Sequence, residues 1–94
     1  MHVANVQPTT SFKDIEELIS TSIEEHGELS DGKSYIIHNN GGENASIVVQ
    51  QNPPAEYIDG YILSPGKNFT YKKGVNKCYV KSCWACDLHI EEVE

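Results

Sequence analysis

Ninety-four residues with 14 acids against 7 basic residues, all of them lysine, fit one domain and give a net charge of -7. That balance argues against nucleic acid as the main partner, because phosphate backbones are held by clustered lysine and arginine. With 38% apolar and 22% charged residues the chain is of globular type, and it has neither a signal-like run after Met1 nor the roughly 20 apolar residues that would span a bilayer.

Residues 1 to 9 carry Val3, Val6 and Pro8 without a clear period and read as an extended arm. From Thr10 the pattern changes. Phe12, Ile15, Leu18, Ile19 and Ile23 recur at helical spacing, with Ser11 placed to cap, Asp14 three positions on, and Glu16 and Glu17 in the first turn. The expectation is a helix over about 12 to 26 with Gly27 as C-cap, its apolar stripe packing on the chain's own sheet or on another subunit.

After the connector GELSDGKS the rhythm becomes that of strands: SYIIHN, ASIVVQQ, EYIDGYIL, NFTYK, KCYVKS and ACDLHIEEV, each bounded by Gly, Pro or Asn. Five or six short strands at roughly ten-residue spacing predict a mainly β fold, a small antiparallel β-sandwich with hairpin connections and one N-terminal amphipathic helix. Residues 1–33 form the arm and helix, and residues 34–94 the sandwich. Ser64-Pro65-Gly66 suits a type II turn, and Pro53 and Pro54 must lie at an edge or outside the sheet because they donate no ladder hydrogen bond. The run Asn39 to Asn44 reads as a flexible hairpin turn.

The stretch CYVKSCWACDLHI concentrates Cys78, Cys83, Cys86 and His89, donors of the kind a structural zinc prefers. Three points weigh against zinc. Ribbons pair two Cys-x2-Cys knuckles and this chain has one; bulky Trp84 occupies the turn; and strand alternation that turns Cys86, Leu88 and Ile90 inward sends His89 outward with Asp87 and Glu91. A redox pair would need a helix after Cys83, where the flanks read as strands. Reduced thiols in the last hairpin are therefore expected, with Val80 facing Leu88 and Cys78 facing Ile90 if the loop has three residues; a loop of two or four residues would turn Tyr79 inward instead.

No nucleophile elbow, phosphate loop or His-Glu-x-x-His occurs, so neither catalytic residues nor a cofactor or metal are expected. Lys67, Lys72, Lys73, Lys77 and Lys81 form a basic strip that is either a solvated face or a contact for an acidic neighbour. A domain of this size buries only about 60 to 65% of its unfolded surface, which makes assembly plausible. Aromatic side chains are favoured interface anchors, and the candidate contact residues are Phe12, Ile15, Ile19, Tyr57, Tyr61 and Trp84, with alternation sending at least half of Tyr57, Tyr61, Phe69, Tyr71 and Trp84 inward.

The segments YIIHNN, SIVVQQ with NPPA, YILSPGKNF, KGVNKCYVKS and CDLHIEEVE together resemble small β-sandwich virion proteins of tailed bacteriophages, over about 60% of the chain. The cysteine cluster and the acidic helix depart from that pattern. The resemblance implies a non-enzymatic structural role, as capsid decoration or at the head-to-tail or tail assembly, with other virion proteins as partners and an oligomeric state in the particle. The alternative is a small regulatory module that binds one protein partner, with folding around zinc through Cys78, Cys83 and Cys86 as a variant.

Overall fold

A computed structural model of the chain describes residues 2–22, 28–82 and 86–93. All six runs expected after residue 33 are strands: β3 (Ser34–Asn39), β4 (Ala45–Gln50), β5 (Tyr61–Leu63), β6 (Asn68–Lys72), β7 (Lys77–Lys81) and β8 (Leu88–Glu92). Two more precede them, β1 (His2–Val6) and β2 (Lys13–Asp14), so the sandwich has eight strands rather than five or six. β1 pairs with β8 through a register shift between His2 and Ala4. That shift turns both Val3 and Ala4 inward, which erases the period-2 signal in the sequence.

Every pairing is antiparallel, and the sheets run β1-β8-β3-β6 and β2-β7-β4-β5. Folded at the β4–β5 connection, the chain pairs 4 with 5, 3 with 6, 2 with 7 and 1 with 8. This is the strand order of a jelly roll. Only β4 and β5 are consecutive partners; the other connections cross between sheets. The expected last hairpin is therefore absent: Cys78 faces Val49 across β4, and Ile90 faces Ile37 across β3. Alternation could not reveal this, because a strand with one inward face looks the same whether the next strand joins its own sheet or the opposite one.

One core joins both parts of the chain. Val3, Ala4, Val6, Ile15 and Ile19 pack with Tyr35, Ile37, Ile47, Leu63, Val80, Leu88 and Ile90 between the sheets. The helix is shorter than its periodicity suggests. α1 covers Ile15–Ser20, capped by Asp14, whose side chain accepts from the Glu16 amide, while Ser11 makes no cap. Phe12 stands outside it because the intervening Lys13 and Asp14 pair as β2 with Val80 and Tyr79 of β7, while Glu56 accepts from the Phe12 amide at 3.2 Å. At the other end the Ser20 and Thr21 hydroxyls bond back to the Glu17 carbonyl, a local alternative to further helix. Residues 23–27, with the expected Gly27 cap, lie outside the described residues.

The strand expected over EYIDGYIL shrinks to Tyr61–Leu63 because Gly60 stands at φ 64, where a Cβ would lie 2.5 Å from the Ile47 carbonyl oxygen. The 51–60 connection, Pro53 and Pro54 included, instead folds back over the outward face of the second sheet. Gly60 abuts the Val48 side chain, and the Lys81 ammonium donates to the Glu56 carbonyl and sits 4.4 Å from the Phe12 ring centroid.

Candidate functional site

The jelly roll gives the molecule two unlike ends. One gathers residues 40–44, 64–67, 82 and 86–87, and at its centre is Asn39, the last residue of β3 and fully buried. Its backbone bonds both ways to the 64–67 turn, with the Asn39 amide donating to the Lys67 carbonyl at 3.0 Å and the Gly66 amide to the Asn39 carbonyl at 2.8 Å. Its side-chain NH2 donates to the carbonyls of Glu43 and Leu63, both at 2.8 Å. Its Oδ1 accepts from the Gly41 amide at 2.9 Å and from the Cys86 thiol at 3.4 Å. Two side-chain donors and two acceptor positions are all that an asparagine offers, and each is used. Ser82 completes the end, its amide donating to the Thr9 carbonyl and its hydroxyl to the Asn44 carbonyl. The expected flexible hairpin turn at 39–44 is thus an anchored crossing between sheets.

At the opposite end lie Glu16 in the first turn of α1, residues 28–33 and the 73–76 turn. Lys73, with 17% of its side chain exposed, reaches Glu16 at 2.9 Å and Asp31 at 3.6 Å. The Glu16 hydrogen bond, opposed by burial, raises the lysine's pKa above its ordinary value. Lys33 pairs with Glu92, and Lys77 approaches Asp14 at 4.0 Å. The basic strip is therefore partly consumed within the chain: of its five lysines, Lys73 and Lys77 meet acids and Lys81 meets Glu56 and Phe12.

Of the two described cysteines, Cys78 lies in β7 and Cys86 just ahead of β8. Cys78 is a core residue whose thiol burial, with the Asp14 charge adding to it, pushes up to about 12. Burial also raises Cys86, which points at Asn39 and at the Glu43 carbonyl. Zinc ligation requires the thiolate, and burial makes both thiols harder to deprotonate. Cys83 and Trp84 lie outside the described residues. Among those described, no three His, Cys, Asp or Glu side chains are grouped to hold a metal ion. Leu88 and Ile90 point inward while His89 and Glu91 point out, as the alternation required. There the His89 ring stacks on His2 at 4.3 Å, contacts Asn5 Oδ1 at 2.9 Å and Glu91 at 3.0 Å, and lowers the Glu91 pKa.

The interface candidates separate cleanly. Ile15 and Ile19 are buried in the core between the sheets and Phe12 is buried beside Lys81 and Glu56, whereas Tyr57 and Tyr61 are 87% and 52% exposed. The Tyr61 ring leans on Phe69 at 5.2 Å, closing the side of the sandwich between β5 and β6. Tyr35 and Tyr71 are internal, each with its hydroxyl hydrogen-bonded, to the Ser30 amide and the Asn76 carbonyl. Val49, Tyr57, Tyr61 and Ile62, four of the six exposed large apolar residues described, belong to one stretch that runs from β4 through the 51–60 connection to β5, the edge strand of the second sheet. No helix described is long and apolar enough to cross a membrane. Comparison with protein-family models, with curated proteins and with solved structures returned no match.

Proposed function

We propose that this chain is a non-enzymatic structural protein of a tailed-bacteriophage virion, a decoration or accessory subunit at the capsid, neck or tail, assembled with other virion proteins and binding neither nucleic acid nor membrane. The observation that carries the reading is the exposed apolar set Val49, Tyr57, Tyr61 and Ile62, running from β4 to the edge strand β5 of a sandwich filled by side chains. Aromatic residues on an uncovered sheet edge are what a subunit contact uses. The jelly-roll strand order occurs in viral capsid domains and also in unrelated proteins, so it agrees with the reading and does not carry it.

Mass spectrometry of purified particles of the phage that encodes the chain tests this. Recovery in fixed ratio to the major capsid protein supports it, and recovery from the cleared lysate alone overturns it. In particles, the double substitution Tyr57→Ser with Tyr61→Ser should lower incorporation while leaving the isolated chain folded.

A further inference from the structure

The Asn40–Gly41 peptide in the crossing between β3 and β4 is the one Asn-Gly step in the chain. An asparagine followed by glycine is chemically the most open to self-attack, because no side chain on the second residue hinders its amide nitrogen. The reaction is intramolecular. The Gly41 nitrogen gives up its proton and attacks Cγ of Asn40, the new C–N bond closes a five-membered succinimide, and the side-chain nitrogen leaves as ammonia. Water then opens the ring at either carbonyl, giving aspartate or isoaspartate. No oxidant, cofactor or partner is needed.

Asn40 is exposed, so water has access to its side chain. Three contacts nevertheless hold its backbone. The Gly41 amide, which must lose its proton to attack, donates it to Asn39 Oδ1 at 2.9 Å. The Asn40 amide donates to the Asp87 carbonyl at 2.8 Å. Gly41 is also wedged against the next loop, where even a Cβ would lie 2.8 Å from the Asp87 nitrogen and 2.9 Å from the Cys86 Cα. Rotation of the Asn40–Gly41 unit into attack geometry has to break the first bond and press on the 86–87 backbone.

We propose that Asn40 is a latent deamidation site, kept silent by the Asn39 hub and released only when this end of the jelly roll opens. The product would be self-locking. Isoaspartate adds a methylene to the backbone where Gly41 and Asp87 leave no slack, and either product adds a negative charge beside Asp87 and Glu43. A chain that has once opened long enough to react would not close again in its original form, so the site records the history of that end.

The test is peptide mass spectrometry of the full chain after incubation in mildly alkaline buffer, with enzymatic methylation to report isoaspartate, run folded and in denaturant. Reaction at Asn40 should be at least about tenfold slower in the folded chain, since only the open fraction reacts; equal rates overturn the proposal. Asn40→Gln should abolish the signal at this peptide, and an unchanged signal would place the chemistry elsewhere. Asn39→Ala should bring the folded-buffer rate close to the denatured one. In case that variant does not fold, Ser82→Ala, which frees the far end of the same loop at Asn44, should raise the rate severalfold well below its unfolding midpoint. A rate that stays at the wild-type value in a folded, loosened variant overturns the role given to the hub.

Discussion

The two ends of this jelly roll solve one problem, tying together loops from opposite sheets, by different chemistry. At the Asn39 end the ties are neutral, buried and saturated: one amide side chain serves Gly41, Glu43, Leu63 and Cys86, and its backbone serves the 64–67 turn. At the Lys73 end the ties are ionic and half in water, with Glu16 at 39% and Asp31 at 85% exposure. A buried neutral hub costs more to break than to build, because each deserted partner is left without water. An exposed ion pair is cheap both ways. The first end should act as a fixed joint and the second as an adjustable one.

Substitution at the hub should produce the largest effect. Asn39→Ala strands the buried Leu63 carbonyl, the part-buried Glu43 carbonyl and the Gly41 amide, and should cost about 3 kcal/mol in urea unfolding; a loss no greater than that of a Lys73 variant would remove the contrast. Gly41→Ala should cost about 2 kcal/mol by overpacking against residues 86–87, whereas Gly42→Ala, whose Cβ would meet nothing within 4 Å, serves as its near-neutral control.

Alkaline titration probes the space between the ends. Burial is the main cause that raises Cys78 from 9.0 to about 12 and Tyr71 from 10.0 to about 12. Each group holds its proton more tightly in the folded chain, so its contribution is complete below the unfolded value and is lost as pH rises toward the folded one. Stability should fall from about pH 9 upward, approaching about 1.4 kcal/mol per pH unit for each proton involved. Cys78→Ala should make that fall shallower between about pH 9 and pH 10, where Cys86, also raised from 9.0 by burial, still contributes before Tyr71 joins. Lys73→Met should cost about 1 kcal/mol or less, and the difference from wild type should shrink as salt is added. Smallest of all, Tyr57→Ser should change monomer stability by no more than about 0.5 kcal/mol, with its consequence confined to assembly.

Much of the architecture was written in local pattern. The six strands after residue 33 follow from period-2 runs between turn residues, and five keep their expected places closely. β1 was hidden by its register shift, and β2, two residues long, is too short to carry a period. Which strands pair is a non-local choice that alternation does not encode, and this is why the C-terminal hairpin was expected where a crossing stands. The hub did leave a signal. In SYIIHN the inward positions are Tyr35, Ile37 and Asn39, so alternation carried to the end of the strand places a polar side chain in the core, where it must find partners. Tyr57 and Tyr61 are exposed, while Ile15 and Ile19 turn to the chain's own core because β1 and β7 are there to receive α1, and Phe12 is buried beside Lys81.

The nesting of strand pairs has a consequence in time. Closing a loop costs more entropy the longer it is, and only β4 and β5 can meet across a short one, the ten-residue 51–60 connection. Each outer pair becomes cheaper once the pair inside it has formed, so the chain closes from its middle toward both flanks. β1, made first, has no partner until β8 is made. During synthesis the opening segment waits with Val3, Ala4 and Val6 uncovered, and the first sheet is completed only after residues 88–92 have left the ribosome.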